Sequence, residues 1–282
     1  MDIHLGNALI GLDRSIDHLS TDAYCEKFSE PDTVPVTRAD GLPLTANVPS
    51  VATRPRSIQK NAEDLTPDDA RRLVLCDFGE AFNPSTTSRT GKESRTPWAK
   101  RAPEAFFEPE RALSYPSDIW SLGISIWDIV GTNDIFSSDL ASRDEIIAAQ
   151  IEVLGWDELP SAWQDIWNRP KTKEEDEYPL PRAPPPKSEP SPPLEQAFEK
   201  FVQEYRREFP EYGIFEAHET VAILALMRGM LKLDPRKRIT MNEVLQSEWM
   251  LKWATPELRK AMDESSEDTS QLIWPPFDQR NK

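Results

Sequence analysis

Apolar residues crowd one stretch of this chain, 117–130. There Ile119, Trp120, Leu122, Ile124, Ile126, Trp127, Ile129 and Val130 leave hardly any polar face. A helix apolar on every side belongs in the core of a large domain, so the pattern predicts a buried central helix. Pro116-Ser117 supplies its start and Gly131 its stop. Residues 143–154 read as an amphipathic helix, with Ile146, Ile147, Ile151 and Leu154 on one side. A third helix is predicted over 219–232, carrying Val221, Leu224, Met227, Met230 and Leu231. A fourth starts at Thr240, where Thr240-Met241-Asn242-Glu243 has the spacing of a capping box. The second half of the chain is expected to be mostly helical.

The first half reads differently. Residues 8–12, Ala-Leu-Ile-Gly-Leu, and 73–76, Leu-Val-Leu-Cys, are two short apolar runs that predict strands. Between them lies a polar stretch with prolines at 31, 35, 43, 49 and 55 and little helical or strand period. Residues 13–70 are therefore expected to be a mainly irregular insertion between two paired strands. A hairpin loop is ordinarily about 2–5 residues, so this one is functional or disordered, and its composition favours disorder. Residues 171–193 begin as a charged run and continue as a proline-rich one. Proline suits neither a helix interior nor a central strand, so an extended surface segment is expected. A solvated linker is favoured over a ligand for an aromatic groove. After Asp263 the tail is acidic and serine-rich until Leu272-Ile273-Trp274-Pro275-Pro276-Phe277, an apolar cluster able to pin it back on the domain.

Composition narrows the function. The chain has 282 residues, 33 Lys+Arg against 49 Asp+Glu, and a formal charge of −16. That surface repels nucleic acid and anionic lipid and attracts basic peptides. Cys25 and Cys76 make neither a disulfide framework nor a metal cluster, so a reducing interior, cytoplasm or nucleus, is expected. Cys76, in its apolar run, is expected to be a buried thiol. No basic and apolar leader opens the sequence, and no apolar run reaches the roughly 18 residues of a membrane span.

The candidate chemistry is phosphoryl transfer. Such a site needs a carboxylate to accept the proton of a hydroxyl, oxygen ligands for Mg²⁺, and cations on the phosphate. Asp2 fits the first role. Asn7 lies five residues on, close enough for one loop to turn both toward the same phosphates. Asp77 ends the second strand, which is expected to be buried, and offers a further hard oxygen. Phe78 is expected to pack under the site and Gly79 to permit a sharp turn. Each fragment alone is weak. Their order is informative: Asp2-x₄-Asn7, then Asp77-Phe78-Gly79, Ala102-Pro103-Glu104, and Asp118-Ile119-Trp120-Ser121-Leu122-Gly123.

In that order these motifs resemble the second half of a eukaryotic protein kinase. The details are similar to SR-protein kinases, in particular their fungal relatives: Asp-Ile-His-Leu-Gly-Asn, the long insertion, Asp-Phe-Gly-Glu-Ala-Phe, Arg101-Ala-Pro-Glu, Pro-Ser-Asp-Ile-Trp-Ser-Leu-Gly and Leu233-Asp234-Pro235-Arg236-Lys237-Arg238. The resemblance covers most of 1–12 and 71–255. It implies a mainly α fold, the helical lobe of a kinase with a small β-hairpin. Residues 1–12 would hold the catalytic loop and first strand, 13–70 the insertion, and 71–104 the second strand and activation segment. Residues 105–262 would form the helical lobe, with its proline-rich linker at 171–193, and 263–282 the tail. It implies ATP and Mg²⁺ as cofactors and a basic, Arg/Ser-rich protein substrate phosphorylated on serine or threonine. Asp2 would be the base, and Asn7 and Asp77 would hold Mg²⁺, with Phe78 and Gly79 completing the nucleotide-side motif. Glu104 would pair with Arg238, Asp118 would brace the catalytic loop, and Arg101 would mark the wider kinase group. Thr96 resembles a threonine that touches the catalytic loop, but lies one residue further from Ala102 than usual.

Three departures stand out. His4 occupies the place where most kinases carry a lysine on the transferring phosphate; the resemblance to the fungal relatives implies that they share this histidine. Met1 stands where the catalytic-loop arginine, or the threonine of SR-protein kinases, is expected. No Gly-rich phosphate loop and no strand lysine occurs. The sequence as given thus leads one to expect an absent N-terminal lobe, an impaired kinase, and association through the face that lobe would cover. Two other classes compete. A non-catalytic scaffold or decoy would dock basic partners, but has no use for Asp2, Asn7 and Asp77 together. Small-molecule phosphotransferases share the Asp-x₄-Asn loop, but lack the Ala-Pro-Glu and Asp118 elements that build a peptide platform.

Overall fold

The computed structural model describes residues 2–11, 14–54, 69, 73–136, 141–169, 180–185, 189–209 and 212–263. The charged run of 171–179 and the apolar tail cluster at 272–277 lie outside them, as does Met1. The described residues carry four short strands: β1 (Ala8–Ile10), β2 (Thr33–Pro35), β3 (Val51–Thr53) and β4 (Leu73–Leu75). β1 pairs with β4, and β2 with β3. The chain divides into two compact units, Ile10–Val74, and Met1–Leu9 with Leu75–Lys282.

The smaller unit is not wholly irregular. Helix α1 (Thr21–Phe28) starts at Ser20, whose hydroxyl accepts the Ala23 N–H at 3.2 Å. β2 and β3 run antiparallel, with Thr33 opposite Thr53 and Pro35 opposite Val51. The threonines and valines that the prolines overshadowed in the sequence suit this small ladder. The irregular reading of 13–70 is corrected for these elements.

The larger unit is helical. Its elements are α2 (Glu104–Phe107), α3 (Tyr115–Val130), α4 (Arg143–Leu154), α5 (Ser161–Trp167), α6 (Leu194–Phe198), α7 (Glu204–Glu208), α8 (Ala217–Met230), α9 (Met241–Leu245) and α10 (Thr255–Asp263). A π-helical turn, Glu199–Gln203, joins α6 to α7. The fold is mainly α with two small two-stranded sheets, in keeping with the kinase-like expectation.

α3 is the buried centre that its composition predicts. Trp120 and Trp127 are fully buried; Trp120 stacks on Phe136 at 5.5 Å and Trp127 meets Phe198 edge-on at 6.2 Å. Such aromatic pairs add about 0.5–1.5 kcal/mol each beyond area burial. The helix ends at Gly131, whose N–H bonds Trp127 O. α4 departs from its one-sided reading: Ile146 through Ile151 and Val153 are all buried. Small Ala148 and Ala149, which look neutral in the sequence, let neighbours close on its second side. The described part of the proline-rich segment, 180–185 and 189–193, carries no helix or strand, and it is not simply a solvated linker. Pro181 is buried, Ala183 N–H bonds Trp167 O at 3.3 Å, and Ser191 N–H bonds the Glu152 carboxylate at 2.8 Å.

One ion pair ties these helices together. The Arg238 guanidinium meets the Glu104 carboxylate with two hydrogen bonds, 2.7 and 2.6 Å, and its side chain is wholly buried. Arg238 also donates to Lys232 O, Pro116 O and Leu233 O, and lies over the Trp120 ring at 5.0 Å. Ser117 donates to the same Glu104 carboxylate at 2.8 Å. The pair thus has the geometry and the extra bonds that let a buried ion pair repay desolvation. Replacing one partner leaves the other charged and buried. Glu104→Ala is expected to lower the unfolding free energy by about 3–5 kcal/mol. Denaturant titration checks this, and a loss under 1 kcal/mol would show that the clamp is dispensable.

Candidate functional site

The turn Leu5–Asn7 and strand β1 carry the first group of candidate residues. Asn7 is buried and bonded on three sides. Its backbone N–H bonds His4 O at 2.9 Å, its side-chain amide donates to Asp2 O at 2.9 Å, and its own carbonyl accepts Cys76 N–H at 2.8 Å. That last bond joins the loop of Asp2 and Asn7 to the residue before Asp77. The structure therefore brings together Asp2, His4, Asn7 and Asp77, which are 70 or more positions apart at the extremes.

Because the Asn7 NH₂ is committed to Asp2 O, the amide oxygen is the end left to face a cation. Asp77 is exposed and has a left-handed backbone, φ 56° and ψ 64°. Non-glycine residues avoid that region at a cost of about 1–3 kcal/mol, and such strain collects at functional sites. The sharp turn expected at Gly79 thus belongs to Asp77 instead. A Cβ on Gly79 would meet the Asp77 carboxylate at 3.4 Å, ordinary contact. Two further expectations are corrected. β4 is exposed rather than buried, and Phe78 is 54% exposed rather than packed under the site. Cys76, expected buried, is half-buried.

Asp2 is asymmetric. Its side chain is 13% exposed; Oδ2 lies 3.6 Å from His4 Nε2, while Oδ1 is buried with no hydrogen-bond partner. An orphaned buried acceptor is rare and asks for a donor. With the Asn7 amide oxygen and the Asp77 carboxylate, it makes a donor set that fits Mg²⁺ and a hydroxyl. Mg²⁺ binds through one or two protein oxygens plus phosphates and water. Among the described residues no group of three His, Cys, Asp or Glu side chains forms an all-protein metal cage.

The second group organises the segment 77–104. Arg101 is buried, and donates to Thr96 O at 2.9 and 2.7 Å and to Ser94 O at 2.9 Å. Thr96 is buried too, and its carbonyl is what Arg101 holds. Gly91 packs so closely on α2 that a Cβ would come within 2.6 Å of Ala105 O. Asp118, in the first turn of α3, lines a cleft with Glu80, Arg89, Thr96 and Arg101. Burial pushes its carboxyl above the usual carboxylate range. Glu104 and Arg238 stand behind this group as the clamp described above.

Sequence reasoning missed one cluster. Lys100 bridges Asp128, 2.6 Å away, and Asp134, at 3.3 Å. Asp128 Oδ1 is buried without a hydrogen-bond partner. Burial raises the Asp128 carboxyl, the Lys100 bond opposes this, Asp134 adds to it, and His4 opposes it more weakly. The available signal was a second aspartate inside an otherwise apolar helix.

The family model for the protein kinase domain matches residues 62–250, more than half of the chain. The loop of Asp2, His4 and Asn7 precedes the matched residues, whereas Asp77, Arg101, Glu104, Asp118 and Arg238 lie within them. No curated protein sequence matches the chain.

Two predictions follow from this geometry. Glycine relieves the left-handed backbone that alanine does not tolerate, so Asp77→Gly is expected to be more stable than Asp77→Ala by about 1 kcal/mol. Equal stabilities in thermal unfolding would place the strain elsewhere. Asp128 has a folded pKa raised above its unfolded value, so it binds a proton more tightly when folded. Its stabilising contribution is full below the unfolded value of 3.8 and is lost as pH rises through the folded one. Asp128→Asn removes that titration, so its stability relative to the parent should rise between pH 4 and pH 7. Parallel pH curves would refute the assignment.

Proposed function

Because the chain belongs to the protein kinase family, we propose that it moves the terminal phosphoryl group of ATP to a serine or threonine of a basic, Arg/Ser-rich protein, as SR-protein kinases do. The observation that carries this reading is the joining of the Asp2–Asn7 loop to the strand end at Asp77 through the Cys76 N–H. It brings the loop that carries Asp2 and Asn7 next to the strand end that carries Asp77.

Mg²⁺·ATP, when bound, supplies the phosphoryl group and the cation that neutralises its charge. Asn7 and Asp77 hold the metal through their oxygens, and Phe78 and Gly79 follow Asp77 on the nucleotide side. Asp2 accepts the hydroxyl proton of the substrate. The Arg101 and Ser121 bonds to the chain at Thr96 and Lys100 keep the peptide platform in shape. Positioning supplies most of the rate in this chemistry, which is why backbone-held residues suffice for so much of it.

The acidic charge of −16 supports a basic substrate. The small number of cysteines, Cys25 and Cys76, supports a reducing interior, cytoplasm or nucleus. Among the described residues no helix is long and apolar enough to cross a membrane. Leu9, Leu75 and Phe78 are exposed apolar residues of the larger unit, at β1, at β4 and just after it. We propose that they receive the nucleotide-covering lobe of a kinase. The same surface favours one second reading, a lobe that docks partners without catalysis.

Phosphate incorporation into an Arg-Ser repeat peptide decides between these readings. Mg²⁺-dependent transfer is expected once a nucleotide-covering lobe is supplied, falling at least 100-fold in Asp2→Asn and Asp77→Ala. Peptide binding without transfer would sink the catalytic reading and favour docking.

A further inference from the structure

We infer that Gly6 and His4 form a positioning pair for Asp2, in which the Gly6 N–H fixes the imidazole so that the Nε2 proton faces the base. Three observations carry it. The Gly6 N–H donates to His4 Nδ1 at 3.1 Å. An accepting Nδ1 carries no proton, so the neutral ring bears its proton on Nε2. That nitrogen lies 3.6 Å from Asp2 Oδ2, a distance that catalytic hydrogen bonds close when substrate binds. Finally, a Cβ on Gly6 would stand 2.9 Å from both Cε1 and Nδ1 of His4, so a side chain at position 6 would push the ring out of this place.

The pair does what a lysine at position 4 would not. A lysine brings a charge on a flexible stem. The held imidazole is a donor of fixed direction lying 3.6 Å from Oδ2, while Oδ1 has no hydrogen-bond partner and keeps its acceptor capacity for the incoming hydroxyl. His4 is a positioning residue in this scheme, acting through Asp2. The bland alternative is that His4 only caps the turn Leu5–Asn7, since its side chain accepts an N–H there as a capping group does.

The inference rests on Asp2 being the base, so its test has one arm that needs no catalysis. The chain holds three histidines, His4, His18 and His218. Long-range proton–nitrogen spectra at pH 8, assigned by substituting each in turn, read the tautomer directly. A single Nε2–H form for His4 is expected, with the Gly6 amide protected from exchange relative to Leu5. A ring that averages between tautomers, or one protonated on Nδ1, would overturn the inference whatever the activity.

The kinetic arm separates positioning from capping. Asparagine keeps a capping oxygen but offers no second nitrogen toward Asp2. His4→Asn is expected to lower kcat at least 10-fold with KM for ATP changed less than 2-fold; full activity would reduce His4 to a cap and overturn the pairing. Gly6→Ala should cost about as much in the parent, but less than 3-fold further when added to His4→Asn. Equal losses in both backgrounds would show that Gly6 acts independently of the ring. If the parent transfers no phosphate, the kinase reading fails while the tautomer result still decides the pair.

Discussion

The buried pair of Glu104 and Arg238 is the constraint on which the larger unit depends. It joins α2 to the turn after α8, and through Ser117 and Pro116 O it also holds the start of α3. The two Arg238–Glu104 bonds lie where water does not compete, so the geometry has to be right in several elements at once. Removing the charge pair would not merely loosen a contact. It would release the base of the segment that carries Arg101 and the platform next to it.

From that base the site is built outward by backbone. Arg101 spends its guanidinium on carbonyls of Thr96 and Ser94, and Ser121 holds Lys100 O. Asn7 uses its carbonyl to receive Cys76 and its amide to fix Asp2 O. Few of the side chains expected to meet ATP are fixed by their own reactive atoms. They are fixed by neighbours, which leaves Asp2 Oδ1 and the Asp77 carboxylate as acceptors without assigned protein donors. Strain at Asp77 fits this economy, because the surrounding bonds hold a backbone shape that isolated aspartate avoids.

Particular residues show what the linear pattern could carry. The central helix was legible because Ile119, Trp120, Ile124 and Trp127 recur too densely for a one-sided helix. Thr240 with Glu243 was legible because a capping box is local: both hydroxyl and carboxylate bonds are present within three residues. The motif order placed Glu104 and Arg238 together across 134 positions only by resemblance; nothing in their own surroundings names the partner. α4 was misjudged because alanine hides in either environment. Phe78 was misjudged because its burial depends on what lies over it, not on its neighbours in sequence.

The sequence by itself determined the helical lobe, the kinase family and the candidate carboxylates. These are carried by residue type, spacing and order, which are properties of the chain. The tertiary structure alone decided that Asp77 and not Gly79 takes the left-handed backbone, that Lys100 stands between two aspartates, and that Gly6 leaves room for an imbedded His4 ring aimed at Asp2. Those facts depend on which atoms approach within a few ångströms and on which donors are already taken. Packing distributes hydrogen bonds among competitors far apart in sequence, and no local pattern records the outcome.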